Sequence, residues 1–143
     1  MFEQKKLMSK IGIIFLTWRR LNQKKIQSRD ITLKQFHILK CLSKKDYMYP
    51  SDIADEIYAD RPTVTVILNN LEKQNLITRQ PNSLNKKMIQ IRITKKGIDK
   101  KNDVLKFLSQ EENEILPTSC FTAEELQQFH YLLNKLFAYF KLK

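Results

Sequence analysis

Apolar positions recur at helical spacing through most of the chain and change to an every-second-residue pattern once, between residues 76 and 93. Upstream of that change, Val64, Ile67, Leu68 and Leu71 fall at i, i+3, i+4 and i+7, one buried stripe on a helix predicted over residues 62–73. A shorter helix is predicted over residues 50–58, with Ile53, Ala54 and Ile57 on one face, and a break at residues 59–61 separates the two. In the alternating stretch, residues 76–80 read as a strand and residues 81–87 as a turn-rich loop. Residues 88–93 read as a second strand, in which Ile89, Ile91 and Ile93 alternate with Gln90 and Arg92.

Two short helices followed at once by a hairpin make a winged helix-turn-helix, so the predicted fold class is mainly α with a small β-hairpin wing. Longer helices flank it. Residues 2–27 form the first, with Leu7, Met8, Ile11, Ile14, Phe15, Trp18 and Leu21 as its apolar positions. Thr32 is the predicted N-cap of the next helix, with Gln35 completing a capping box and Phe36, Leu39 and Leu42 facing inward. After the wing, residues 94–97 lead into a helix expected to run to about Leu116, and residues 117–120 break the chain. Thr122, with Glu125 three residues on, caps a last helix whose stripe is Leu126, Phe129, Leu133, Leu136, Phe137 and Phe140. The expected organisation is one domain over residues 1–143: a reading lobe at about 31–97, and dimerisation helices at about 1–30 and 98–143.

The open face of the 62–73 helix is where composition becomes informative. Arg61, Pro62, Thr63, Thr65, Val66, Asn69 and Asn70 are mostly small or hydrogen-bonding, as a helix entering a DNA major groove requires. Ser51, at the start of the shorter helix, and Arg79, Lys86, Lys87 and Arg92, on the wing, complete the candidate DNA-binding set. Charge supports it. Of the net +11, residues 61–101 carry ten Lys/Arg against two acids, a net of +8, whereas residues 102–143 carry a net of −2. Basic charge therefore concentrates on the reading element, the footprint expected of phosphate binding. The alternative is a winged-helix module that serves RNA or a protein partner without operator recognition.

Other chemistry is poorly supported. Two cysteines, Cys41 and Cys120, make no disulfide framework or zinc spacing; Cys41 is expected to be an inert core thiol and Cys120 more accessible. His37 and His130 lie beside apolar or aromatic neighbours and are read as core or interface histidines. Two glycines in 143 residues leave no phosphate-cradling loop, and Glu111, Glu112 and Glu114 read as a solvated helix face. No catalytic residues, metal or cofactor are expected, so the chain is not read as an enzyme. Residues 11–18 are apolar but cut short by Arg19 and Arg20, without a cleavage site or the length to span a bilayer, so a cytoplasmic protein without a membrane partner is expected.

Five segments in order carry a resemblance: residues 31–39 (ITLKQFHIL), Ile53-Ala54, residues 61–65 (RPTVT), residues 71–77 (LEKQNLI) and residues 93–97 (ITKKG). Together they resemble the MarR family of bacterial regulators over nearly the whole chain. The resemblance implies a dimer with two winged-helix lobes on pseudo-palindromic double-stranded operators, usually a repressor, and often a small aromatic ligand that weakens DNA binding. It also implies an Asp-Arg-Arg run on the wing. Asn85, Lys86 and Lys87 stand there instead, so wing contacts should be more electrostatic and less selective for a narrow groove. Asn75 replaces the usual glycine after the reading helix, and tolerates the left-handed conformation. The first helix lacks the cysteine of peroxide-sensing relatives.

The apolar surface on the terminal helices exceeds what one small lobe covers. Homodimerisation through Leu7, Ile11, Phe15, Phe129, Leu133, Phe137 and Phe140 is expected, against the alternative of an extra intramolecular layer. Trp18, Arg19, His37, Tyr47 and Tyr49 are the candidate ligand-binding residues for a flat aromatic or anionic effector; the alternative is that these rings pack the junction.

Overall fold

The chain's computed structural model describes residues 2–110 and 120–143. Glu111, Glu112, Glu114 and the expected break at residues 117–119 lie outside the described residues. The chain divides into two compact units, residues 1–113 and 114–143.

In the first unit, α1 (Phe2–Gln27), α2 (Leu33–Leu42), α3 (Pro50–Glu56) and α4 (Arg61–Lys73) precede a hairpin of β1 (Ile77–Pro81) and β2 (Ile89–Ile93), and α5 (Lys95–Leu108) follows. The expected capping box opens α2: the Thr32 side chain accepts from the Gln35 amide at 3.1 Å while the Gln35 side chain accepts from the Thr32 amide at 3.0 Å. A single core holds the lobe. Ile38, Leu39 and Leu42 from α2, Ile53 from α3, Leu68 and Leu71 from α4, Leu76 and Ile77 around β1, Ile91 from β2 and Val104 from α5 are all essentially inaccessible to water. Each such side chain contributes about 1.5–3 kcal/mol by leaving water. Among the described residues of α1, Ile26 and Asn22 are the ones fully withdrawn, so the helix is anchored at its C-terminal end. There Arg29, in the following turn, reaches α5 by an ion pair to Asp103 at 3.6 Å and by lying 4.4 Å from the Phe107 ring centre.

The hairpin register pairs Ile77 with Ile93, Arg79 with Ile91 and Pro81 with Ile89. A two-stranded ribbon is marginal alone, and this one is backed by the linker between α2 and α3. Met48 exchanges both backbone hydrogen bonds with Ile91, at 3.0 and 2.8 Å.

Several boundaries differ from expectation. The reading helix starts one residue early, at Arg61, because Asp60 is its N-cap; the Asp60 carboxylate accepts from the Thr63 amide at 2.7 Å. The strands begin at Ile77 and Ile89, one residue later than predicted, because Leu76 is used to close α4 and Met88 to close the wing loop. The helix after the wing begins at Lys95 and ends at Leu108, short of Leu116. Thr94 caps its start by accepting from the Gly97 amide at 3.0 Å, and Ser109 closes its end onto the Leu105 and Phe107 carbonyls. Its Gly97, Val104 and Leu108 are buried, so the helix belongs to the lobe's core as well as lying beyond it.

The second unit is α6 (Ala123–Lys141), opened by the expected Thr122–Glu125 capping box. It buries no residue. Phe129, Leu133, Phe137 and Phe140 are 40–52% exposed. On α1, Leu7 and Phe15 are likewise 58% and 54% exposed, whereas Ile11 is half-buried. None of the described helices is long and apolar enough to cross a membrane.

Candidate nucleic-acid interface

The turn between α3 and α4 is set by a left-handed residue. Tyr58 has φ 52°, and the amides of Ala59 and Tyr58 close back onto the carbonyls of Ala54 and Asp55 at 3.0 and 3.3 Å. This Schellman closure stops α3 and re-aims the chain for Asp60 to start α4. The hydrogen bonds from Thr63 hold the Asp60 carboxyl below the ordinary aspartate range, so it is ionised at neutral pH, at the positive end of the helix. The far end of α4 closes identically. Asn75 has φ 59°, and Leu76 and Asn75 donate to Leu71 and Glu72 at 3.0 and 2.9 Å, as the sequence led one to expect of an asparagine in glycine's place.

Between these caps Val64, Leu68 and Leu71 are buried, which turns Arg61, Pro62, Thr65, Val66, Asn69 and Asn70 to solvent; Thr63 is half-buried. The Thr65 hydroxyl donates to the Arg61 carbonyl at 3.0 Å, leaving its oxygen lone pairs outward. The wing loop then comes alongside. Tyr49, Pro50, Ser51, Arg61, Thr65, Lys87, Met88 and Ile89 line one cleft of about 320 Å³. Four of the predicted residues, Ser51, Arg61, Thr65 and Lys87, thus meet from three separate elements. A guanidinium, an ammonium and two hydroxyls around one groove suit a phosphate backbone held beside a base edge.

The other predicted residues are placed differently. Lys86 and Lys87 stand exposed at the wing tip, where the Asn85 side chain accepts from the Lys87 amide at 3.1 Å and so braces the turn rather than an ion pair. Arg79 and Arg92, predicted as phosphate contacts, are engaged within the chain. Arg79 pairs with Glu72 at 3.4 Å, and Arg92 donates to the Asp46 carbonyl at 3.3 Å and to Gln90 at 3.2 Å while lying over the Tyr47 ring. Arg79 therefore fastens the hairpin to α4, and Arg92 fastens it to the linker between α2 and α3. Tyr47 and Tyr49 meet edge to face with ring centres 5.4 Å apart, whereas Trp18 stacks on Phe15 at 6.2 Å within α1; the described contacts do not join Trp18 or Arg19 to the tyrosines. His37 is exposed, not a core side chain; its partial burial and the charges of Lys40 and Lys44 hold it below the ordinary histidine range, against Glu56. Cys41 is half-buried, and burial raises its thiol, which disfavours the thiolate. Cys120 is exposed.

Sequence reasoning missed Asp60, Asn82 and Met48. Asp60 had a local signal, an aspartate three residues before Thr63 and just ahead of a proline. Asn82 and Met48 act on residues far along the chain and had none.

Part of the described lobe matches a known domain. The MarR family model matches residues 31–89, from the start of α2 to the second strand of the wing. Over those residues the chain is similar to the MarR family. Among curated relatives, the homoprotocatechuate degradative operon repressor of Escherichia coli is 26% identical over 113 residues, 79% of this chain and 75% of that protein. The S. aureus MepR–DNA complex superposes with a TM-score of 0.81 at 26% identity, covering 92% of this chain and 96% of that one. The operator-DNA complex of a cysteine-to-serine mutant of E. coli MarR gives a TM-score of 0.83 at 24% identity, covering 94% and 95%. That last likeness speaks for the fold alone.

Proposed function

We propose that this protein is a MarR-type regulator: a homodimeric, sequence-specific DNA-binding repressor. The observation that carries the reading is the cleft in which Ser51, Arg61, Thr65 and Lys87 converge. Its α4 side fits a major groove and its wing side the adjoining backbone. The E. coli and S. aureus relatives, described as a repressor and as a DNA complex, support this assignment. The basic surface would also attract RNA, but α4 presents helix-borne hydroxyls and amides, and the deep, narrow groove of A-form RNA does not admit a helix. Exposed Thr65 and Asn69 then read bases. Thr65→Ala or Asn69→Ala should cost about 1–3 kcal/mol on the preferred site and relax one operator position, measured by competition between single-base operator variants. Equal weakening on every duplex would remove the base-reading role.

Dimerisation follows from surface that one chain leaves in water. Phe129, Leu133, Phe137 and Phe140 on α6, and Leu7 and Phe15 on α1, are all at least 40% exposed, with Ile11 half-buried beside them. A two-fold pair would set two α4 helices about 34 Å apart, one turn of DNA. Deleting the chain beyond Lys135 removes Phe137 and Phe140. Sedimentation velocity should then find monomers or aggregates with little DNA affinity; a well-behaved truncated dimer would contradict the assignment.

Release by a small aromatic or anionic effector is the finer part of the proposal. Trp18 against Phe15, and Tyr47 against Tyr49, supply flat faces, and Arg19 and His37 supply polar handles. A tenfold release corresponds to about 1.4 kcal/mol of coupling. Salicylate-like acids titrated against the DNA complex, with Trp18 fluorescence as the probe, should dissociate it. A broad panel without effect would leave these rings as packing alone.

A further inference from the structure

The wing loop is wired through one side chain. The Asn82 carboxamide oxygen accepts from the amides of Leu84 and Asn85 at 2.8 and 3.3 Å, and the Asn82 amide donates to the Met88 carbonyl at 2.7 Å. Met88 in turn donates to the Asn85 carbonyl at 3.0 Å. The remaining polar group of Asn82, its Nδ2, points out of the loop. It donates to the Tyr49 hydroxyl at 2.8 Å, across 33 residues of sequence.

Tyr49 is placed to receive it. As the residue before Pro50 it is held extended, at φ −88° and ψ 153°, and although it occupies the N-cap position of α3 its side chain caps nothing. The ring is turned instead to the wing, edge-on to Tyr47, whose other side carries Arg92. One residue earlier, Met48 is bonded to Ile91. The linker of residues 46–49 therefore grips the hairpin at both ends: at its base by the Met48–Ile91 backbone pair and Arg92 on the Asp46 carbonyl, and by Tyr49–Asn82 where the loop leaves the ribbon. Tyr49 also lines the cleft that holds Arg61, Thr65 and Lys87.

We propose that the Tyr49–Asn82 hydrogen bond is a latch that fixes the wing loop beside α3 and α4 before DNA arrives, making Tyr49 and Asn82 positioning residues of the interface. Without it the seven-residue tip between Pro81 and Ile89 would keep its internal hydrogen bonds but be fixed beside the helices only on binding, at a cost in conformational entropy. Held by it, Lys86 and Lys87 are presented in place, and Leu84 stays 97% exposed at the tip instead of collapsing onto the lobe. The inference rests on the DNA-binding reading for its consequence, but the latch itself is a property of the free protein.

Two variants test it. Tyr49→Phe removes the acceptor and keeps the ring; Asn82→Ala removes the loop's hub. Two readouts are taken on each. Amide hydrogen exchange of the free protein should accelerate at Leu84 and Asn85 in both variants, with α2 and α4 protected as in the wild type. Duplex affinity should fall about three- to tenfold for Tyr49→Phe, the range one net hydrogen bond allows, and more for Asn82→Ala. The salt dependence of binding should be unchanged, because the lysines still reach their phosphates once the loop is ordered. That separates positioning from direct contact, since a lost phosphate contact lowers the slope by about one unit. Wild-type exchange at Leu84 and Asn85 in Tyr49→Phe would overturn the latch. A lowered salt slope would overturn the positioning role. If the wild-type protein bound no duplex, the DNA reading would fall while the exchange data still decided the latch.

Discussion

Replacing Lys86 and Lys87 together by alanine should weaken binding to every duplex alike, by roughly sixtyfold at 0.1 M salt. The salt slope should flatten by about two units. Both side chains stand exposed at the wing tip, one of them in the cleft with Arg61 and Thr65. Lysine offers a compact charge without a planar fork, so these contacts release counterions without reading sequence. The two wing arginines should behave otherwise. Arg79 is spent on Glu72, and Arg92 on Asp46, Gln90 and Tyr47, so their removal should loosen the hairpin more than it changes the slope. Fluorescence anisotropy on a labelled duplex across a salt series measures all of this. A changed base preference with an unchanged slope in the double lysine variant would reverse the division of labour between wing and helix.

Gly97→Ala should cost at least about 3 kcal/mol of stability, the upper end for overpacking. Its backbone is unstrained, so conformational freedom is not the reason. Space is. A Cβ there would collide with the Leu76 carbonyl oxygen and come within 2.7 Å of Ile93 Cγ1. The Leu76 oxygen cannot move aside, because it accepts from the Thr94 amide at 3.1 Å, and the Thr94 hydroxyl is bonded to the Asn75 carbonyl at 2.7 Å. Lys96 ties the same corner to the Gln74 carbonyl at 2.9 Å. The end of α4, the start of the wing and the start of α5 thus meet at one point, and the methyl group pries all three apart. Urea unfolding should show a lowered midpoint. The chain's other glycine, Gly12, has nothing within 4 Å of a built Cβ, so Gly12→Ala serves as the contrasting substitution. A wild-type midpoint in Gly97→Ala would mean that the corner yields more easily than its hydrogen bonds suggest.

What the sequence disclosed and what it hid divide by range along the chain. Both capping boxes, Thr32–Gln35 and Thr122–Glu125, were legible because each closes within four residues. The α4 stripe and the wing's alternation were legible because burial of one face imposes a period. The left-handed Asn75 could be anticipated from its type and place at the helix end. Gly97 looked like the lead into a helix, yet its role depends on Leu76, twenty-one positions away. Arg92 read as a phosphate contact because its charge is visible in sequence and Asp46, its carbonyl partner, is not. Asn82 fell within the turn-rich loop with no reading of its own, because its partner Tyr49 lies 33 residues away. The candidate interface was therefore legible in its helix half, where spacing determines which side chains face outward. It was less legible in its wing half, where long-range polar contacts decide which cations remain available.

Selection from a random pool of DNA duplexes tests the central claim most directly. The protein is expected to enrich an inverted repeat with half-sites about one helical turn apart, bound by two chains per site. Thr65→Ala should broaden the enriched sequence at one position in each half-site. Enrichment of no sequence, or of a single unrepeated half-site bound by one chain, would contradict the account.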